Sequence, residues 1–259
     1  MKKRDFQLLV NIMEMLRGEK GCPWDKEQTR KSLKPYIVEE AYELIEAIEG
    51  DDPEKIKEEL GDLLFQIVFQ CQIAKERDEF AVSDVIEKIS KKMIARHPHV
   101  FGKAAYKTTD EVIIHWEEQK KLEGKLRESI LEGVPESMPS LLRAKRIQDR
   151  AAQVGFDWEK IEDVLEKLDE ELKEFKYAIK TERQEKIEEE LGDILFMLVN
   201  ISRFIGVNAE DALRKTIGKF ISRFRYIETN AAEKGKKLSD MTLEEMDRLW
   251  EEAKGMKST

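Results

Sequence analysis

Two acidic segments in the first half of this 259-residue chain have the residue types and spacing of a metal site. They read Glu39-Glu40-x-x-Glu43 and, further along, Glu59-x-x-Asp62. Residues three or four positions apart share one face of a helix, so each segment would present its acids together, with Glu40 at the edge of the cluster. Converging carboxylates repel one another unless cations lie between them, and ligands that are all oxygen favour magnesium, with manganese as a substitute.

The same pattern recurs in the second half, displaced by 131 residues. There it reads Glu170-Glu171-x-x-Glu174, followed by Glu190-x-x-Asp193. A single pattern of this kind usually marks a solvated helix face, because acidic residues fill 55 of the 259 positions. Duplication explains the repeat, but it does not explain acids beside apolar segments, where burying a charge is costly. We therefore interpret both sets as metal ligands.

Basic residues with helical spacing follow each acidic pair. Lys219 and Arg223 lie four positions apart in the second half, as do Lys92 and Arg96 in the first. Such a pair could hold a polyphosphate, since arginine offers a bidentate fork and lysine a point charge. A solvated helix face is the alternative interpretation of either pair.

Tryptophans and histidines add two further hypotheses. Trp116 and Trp250, near the end of each half, could stack on a nucleobase, although a core or interface role is equally common for tryptophan. The chain has three histidines, His97, His99 and His115, and none lies three residues after an acidic-motif glutamate. A di-iron carboxylate site, which uses Glu-x-x-His pairs, is therefore disfavoured.

The repeated blocks predict two tandem domains built from helices. Glycine and proline are scarce, at 13 and 6 residues, and apolar residues recur at helical spacing around both acidic motifs. The densest helix-breaking residues lie at 123–139, so we predict domains at 1–122 and 140–259 with a linker between them. Each acidic pair would lie on a helical hairpin, with further helices at 82–96 and 109–122 and a new one from Ser140. The predicted fold is all-α, a duplicated helical bundle.

Composition excludes several classes of function. The net charge is −9 and the pI is about 5.2, which disfavours stable nucleic-acid binding because phosphate backbones need a basic surface. We expect Cys22 and Cys71 to be reduced thiols, and neither a signal peptide nor a segment that spans a membrane is predicted. These features favour a cytoplasmic protein.

The acidic motifs resemble those of the MazG-type, all-α nucleoside triphosphate pyrophosphohydrolases, whose pattern is EExxE followed by ExxD. The resemblance spans nearly the whole chain, including Gly-Cys-Pro-Trp-Asp-Lys-Glu-Gln at 21–28 and Arg-His-Pro-His-Val-Phe-Gly at 96–102. It implies hydrolysis of a nucleoside triphosphate to the monophosphate and pyrophosphate, dependence on Mg²⁺, broad base specificity and a homodimer.

The resemblance also implies roles for particular residues. It identifies the ten motif acids as metal ligands, and it implies attack of water on the α-phosphorus. The residues implied to be catalytic are Glu189, Glu190 and Asp193. Those implied to bind the nucleotide are Lys186, Lys219, Arg223 and Trp250. Relatives with two domains favour the C-terminal half as the active one, but both motifs are intact here, so both halves remain candidates. The alternatives are a narrower dUTPase-like or dCTPase-like hydrolase and a non-catalytic module that senses nucleotides.

Overall fold

The structure is a computed structural model that describes residues 6–102, 104–106, 108, 111–112, 115, 129–181 and 183–255. Across these residues every regular element is a helix and no β-strand occurs, which confirms the all-α prediction. The chain divides into two compact units, Met1–Lys125 and Leu126–Thr259. This division falls inside the predicted linker, whose own bounds stay a prediction. No described helix is long and apolar enough to cross a membrane.

The first unit contains six described helices. They are α1 (Phe6–Arg17), α2 (Pro23–Glu27), α3 (Lys34–Gly50), α4 (Pro53–Lys75), α5 (Val82–Arg96) and α6 (Pro98–Phe101). Of the helix predicted at 109–122, the structure describes residues 111, 112 and 115, which are helical. Trp116 lies outside the described residues.

Five helices and a short 3₁₀ turn form the described part of the second unit. They are α7 (Ser140–Ala152), α8 (Ile161–Thr181), α9 (Gln184–Phe204), α10 (Ala209–Glu233), the 3₁₀ turn Leu238–Asp240 and α11 (Leu243–Gly255). The helix predicted from Ser140 begins at that residue. Helices α8 and α9 pack on each other as α3 and α4 do, so the acidic motifs lie on two hairpins as predicted.

Local chemistry explains the tight reversal between α3 and α4. Asp51 ends α3 in the left-handed region, with φ of 51°, a conformation that aspartate tolerates better than most residues. The Asp52 carboxylate accepts a hydrogen bond of 3.0 Å from the backbone N–H of Glu54 and so caps α4. Pro53 supplies the first turn with its fixed φ and has no N–H to leave unpaired. The chain therefore reverses within two residues, and the two acidic segments are brought side by side.

The apolar core lies beyond the acidic part of each hairpin. In the first unit it includes Met13, Leu33 and Phe69, with Phe69 in the second half of α4. In the second unit Val164 on α8 and Val199 on α9 are fully buried. The acidic motifs therefore lie between this densely packed core and the turn of each hairpin.

Arg17 links the C-terminal end of α2 to the core of the first unit. Its side chain donates hydrogen bonds to the backbone carbonyls of Asp25 and of Gln28, the latter at 3.2 Å. It also forms an ion pair with Glu76 at 2.6 Å, and its guanidinium lies 5.4 Å from the centre of the Phe69 ring. The hydrogen bond from Arg17 holds the pKa of the Glu76 carboxyl below its usual value.

Candidate active site

Three carboxylates of the second unit converge between α8 and α9. Oxygens of Glu171, Glu174 and Glu190 all lie within 4.8 Å of one another. Glu171 and Glu190 are only 7% and 2% exposed, whereas Glu174 faces solvent. Two nearly buried negative charges beside a third require positive charge nearby, because burial and mutual repulsion both disfavour the ionised forms.

Lys186 supplies part of that positive charge to Glu190. Its ammonium nitrogen lies 2.8 Å from Oε1 of Glu190 and 3.0 Å from Oε1 of Glu189, one turn along α9. These hydrogen bonds, that to Glu190 first, raise the pKa of Lys186, so the lysine stays charged. The second oxygen of Glu190, Oε2, is buried and has no hydrogen-bond partner. A buried carboxylate oxygen without a partner is costly, and a cation at the cluster would satisfy it.

Lys167 plays the same part on α8. Its ammonium lies 2.9 Å from Oε1 of Glu171 and 3.1 Å from Oε1 of Glu170. The hydrogen bond to Glu171, followed by that to Glu170, raises the pKa of Lys167. Each buried glutamate of the cluster is therefore paired with a lysine that precedes it by one helical turn.

Asp193 adjoins the cluster without belonging to its closest set of oxygens. The pKa of its carboxyl is raised by partial loss of solvent, then by the nearby charges of Glu171 and Glu190. Asp193 is therefore electrostatically coupled to Glu171 and Glu190, with which the sequence pattern groups it.

The first unit has an equivalent cluster between α3 and α4. Oxygens of Glu40, Glu43 and Glu59 lie within 4.8 Å of one another. Burial raises the pKa of Glu40, and the charges of Asp62 and Glu43 raise it further. The pKa of Glu59 is raised by desolvation, then by Glu43 and Asp62. Both predicted sites therefore exist as carboxylate clusters.

The sequence analysis groups both glutamates of each EE pair with the metal ligands, but in the structure only one of them belongs to the close set of oxygens. Glu40 and Glu171 are members, whereas Glu39 and Glu170 are exposed and lie outside the closest sets. The reason is helix packing. Glu40 shares its face with Ala47, the buried residue of α3, and that face is turned toward the neighbouring helix. Spacing alone shows which residues share a face but not which face is covered.

Three of the four predicted nucleotide-binding residues, Lys219, Arg223 and Trp250, lie on α10 and α11, whereas Lys186 lies on α9 beside the carboxylate cluster. The Arg223 guanidinium lies over the Trp250 ring, 5.4 Å from its centre, and the Phe220 ring lies 5.1 Å from that of Trp250. Lys219 is exposed one turn before Arg223. Among the described contacts, no hydrogen bond or ion pair joins this group to the carboxylate cluster. In the first unit the corresponding Arg96 is buried, in contrast to the half-exposed Arg223.

Two residues beside the clusters were missed by sequence reasoning. Lys167 precedes Glu171 by four positions, so the helical spacing that grouped the acids also places this lysine on their face. Gln66, only 7% exposed, follows Asp62 by four positions, and its side chain lowers the pKa of the Glu40 carboxyl. Extending the same periodicity by one turn would have found both.

Comparison with known proteins follows the same duplicated pattern. The MazG nucleotide pyrophosphohydrolase domain matches this chain twice, at residues 28–101 and 159–227, and the two matches include both carboxylate clusters. The nucleoside triphosphate pyrophosphohydrolase/pyrophosphatase MazG of Thermotoga maritima is 48% identical over 254 residues, which cover 96% of this chain and 96% of that protein. The nucleoside triphosphate pyrophosphohydrolase of Escherichia coli K12 is 43% identical over 251 residues, 95% of each chain.

A further relative, the uncharacterized protein YabN of Bacillus subtilis, is 46% identical over 252 residues, which cover 96% of this chain and 52% of that protein. The resemblance inferred from the acidic motifs is confirmed by these matches. This chain therefore belongs to the MazG nucleotide pyrophosphohydrolase family and carries the family's domain twice.

Proposed function

We propose that the chain is a magnesium-dependent hydrolase that converts nucleoside triphosphates to monophosphates and pyrophosphate, with little discrimination among bases. The observation that carries the proposal is the carboxylate cluster with the buried, unpartnered Oε2 of Glu190. Membership of the MazG family and two relatives named nucleoside triphosphate pyrophosphohydrolase support hydrolysis of a triphosphate.

The residues of the second unit fit a hard divalent cation. Glu171, Glu174 and Glu190, with Asp193 beside them, would supply only oxygen ligands, the set that magnesium and manganese prefer. A cation held there would offset the negative charge that develops on the leaving pyrophosphate. The first unit offers Glu40, Glu43, Glu59 and Asp62 for the same purpose.

The other polar groups of the second unit would position the reactants. Glu189 is exposed beside the buried cluster, so its carboxylate can accept a hydrogen bond from the water that attacks the α-phosphorus. Lys186 donates from the same helix face and can turn to a phosphate oxygen. Water attacks directly in this scheme, and no side chain forms a covalent intermediate.

The α10 and α11 group would bind the rest of the nucleotide. Lys219 and Arg223 provide positive charge one turn apart for the phosphates, and Trp250 provides a ring on which a base can stack. Every base has a π face, so stacking on tryptophan accepts all of them, which accounts for the broad specificity we propose.

We also propose that the chain forms a homodimer. Exposed apolar residues form a row along one face of α4 and recur along α9 at the same 131-residue displacement. They are Leu60, Leu64 and Ile67, and Leu191, Leu195 and Leu198. Contiguous apolar rows of this kind are typical of interfaces rather than of solvated helix faces.

Product analysis of the full chain tests the proposed reaction. Incubation with a nucleoside triphosphate and Mg²⁺ in ¹⁸O-water should yield pyrophosphate, with the label in the monophosphate because water attacks the α-phosphorus. Label in the pyrophosphate, or a diphosphate product, would contradict the proposal. A panel of canonical and damaged nucleotides distinguishes broad specificity from the narrower dUTPase-like or dCTPase-like alternative.

Two pairs of substitutions then assign the reaction to a unit. The Glu190→Gln/Asp193→Asn variant disables the second cluster, and the Glu59→Gln/Asp62→Asn variant disables the first. We expect the first variant to lose nearly all activity and the variant with all four changes to lose the remainder. Activity that persists in the fourfold variant would exclude both clusters as the catalytic site.

A further inference from the structure

The two carboxylate clusters differ in the positive charge beside them. In the second unit Glu171 and Glu190 are each paired with a lysine. Among the residues that the structure describes, no lysine or arginine forms an ion pair with a member of the first cluster. These members are Glu40, Glu43 and Glu59. Lys55, which corresponds to Lys186 by the 131-residue displacement, lowers the pKa of Glu59 by its charge but forms no ion pair with it among the described contacts. The three close carboxylates of the first cluster are therefore less fully offset by positive charge than those of the second.

The duplication explains the difference at one position. Lys167 corresponds to Tyr36 by the 131-residue displacement. The Tyr36 ring packs edge-on against Trp24, with ring centres 5.8 Å apart and an interplanar angle of 80°. A tyrosine engaged with a tryptophan cannot offer a charge to Glu40, so the first unit lacks at this position the cation that α8 supplies.

A second difference lies in the amide of Gln66. By the same displacement Gln66 corresponds to Met197, and both residues are buried. The Gln66 side chain adjoins Glu40 and lowers the pKa of that carboxyl, while its oxygen, Oε1, is buried and has no hydrogen-bond partner. An unpartnered amide oxygen in a side chain that adjoins Glu40 is a candidate further hard ligand, whereas the thioether of methionine is a soft one.

We infer that the first cluster binds a divalent cation without nucleotide, whereas the second binds it chiefly together with the triphosphate. This inference rests on the proposed function, because it takes both clusters to be cation sites. It assigns Gln66 a role in the first cluster and Lys167 a role as an internal counter-ion in the second.

Competition for the same oxygens is the physical reason. A cation that enters the second cluster alone must displace the ammonium groups of Lys167 and Lys186 and is repelled by them. A triphosphate brings negative oxygens to which the displaced ammonium groups can turn, so the nucleotide and the cation would favour each other's binding. Among the residues that the structure describes, the first cluster has no ion-paired ammonium group to displace, and the neutral Gln66 side chain adjoins its member Glu40.

Titration of the full chain with Mn²⁺ in the absence of nucleotide tests this inference. The electron paramagnetic resonance signal of free Mn²⁺ measures how many cations bind and how tightly. We expect one tight site per chain and a second that is weaker by about tenfold or more. Substitution of Glu40 and Glu59 by glutamine should remove the tight site, whereas the same change at Glu171 and Glu190 should leave it.

Two single substitutions sharpen the test. Lys167→Met should tighten the second site about tenfold in the absence of nucleotide, because its competing charge is gone. Lys173→Met is the matched control, since Lys173 is exposed on the same helix and forms no described ion pair, and it should change nothing. Gln66→Met should weaken the tight site about tenfold, and thermal melting verifies that each variant is folded.

Three outcomes would overturn the inference. They are equal affinity of the two clusters, a tight site that depends on Glu171 and Glu190, and no change of affinity in Lys167→Met. Failure of the proposed function looks different. In that case the Mn²⁺ titration gives unequal sites as expected, but no pyrophosphate appears when nucleotide is added.

Discussion

Lys186 donates a 2.8 Å hydrogen bond to Glu190, which lies one turn further along α9 and is only 2% exposed. The bond satisfies one carboxylate oxygen and leaves the other, Oε2, buried without a partner. A side chain kept in this state lowers stability, and such a cost is typical of functional sites. This contact and other features of the structure lead to five predictions.

Glu190→Gln should remove most of the catalytic activity without destabilising the metal-free protein. The substitution removes one of three clustered negative charges, so the free energy of unfolding should be unchanged or higher by about 1 kcal/mol. Urea denaturation in the presence of a chelator measures this. A loss of about 2 kcal/mol or more would show instead that the ion pair with Lys186 outweighs the repulsion that is relieved.

Magnesium should raise the melting temperature of the protein, because a cation that binds only the folded state stabilises it by mass action. At a concentration 100 times the dissociation constant the gain is about 2.7 kcal/mol. The increase should shrink when Glu59 and Glu190 are both changed to glutamine. An undiminished increase in that variant would mean that magnesium acts elsewhere on the chain.

Trp250→Ala should raise KM for nucleotides far more than it lowers kcat. Loss of a stacking surface costs about 1–3 kcal/mol per base, which corresponds to roughly tenfold or more in KM. Trp250→Phe should retain part of the affinity, because the smaller ring can still lie against Phe220. Trp158→Phe, at a half-exposed tryptophan outside this group, serves as the control. A fall in kcat with an unchanged KM in Trp250→Ala would contradict the stacking role.

Glu76 should make the first unit more stable above its ordinary pKa than below it. Because the hydrogen bond from Arg17 lowers the pKa of Glu76 in the folded state, the unfolded chain binds more protons in this range. The stabilisation is therefore complete above the ordinary value of 4.5 and is lost as the pH falls through the lower, folded value. Denaturation at several pH values should show a smaller loss on acidification for Glu76→Gln than for the unsubstituted chain.

Leu195→Glu should weaken the proposed homodimer. Leu195 is the middle residue of the exposed apolar row on α9, and a charge there would have to be buried in an interface. Sedimentation should show a shift toward monomer. Leu243→Glu, at an exposed leucine at the start of α11, should leave the association unchanged. Association that survives Leu195→Glu would place the interface on another surface.

The helical spacing of apolar residues and the positions of helix-breaking residues were enough to predict much of the fold. The hairpin between α3 and α4 could be read from Pro53 and the polar residues before it, because these set local backbone geometry without help from distant residues. The acidic clusters were predicted for the same reason, since residues one turn apart on a helix must share a face. The second half could be inferred by repetition.

Other features depend on tertiary packing. Whether Glu39 or Glu40 enters the cluster depends on which face of α3 is covered by α4, and both residues have the same local sequence signal. The contact between Arg223 and Trp250 joins two helices that a turn separates, so spacing along one helix could not predict it.

Composition and pattern thus specify the helices, their duplication and the identity of the acids, all of which arise from interactions over one or two turns. Packing between helices specifies the depth at which each acid lies and the partner it finds. Glutamate is usually exposed, so the sequence alone would place Glu190 at the surface. It is removed from water because α8 packs on α9. Desolvation depends on neighbours that are distant along the chain, and it is desolvation that makes the negative charge of this carboxylate costly unless positive charge lies beside it.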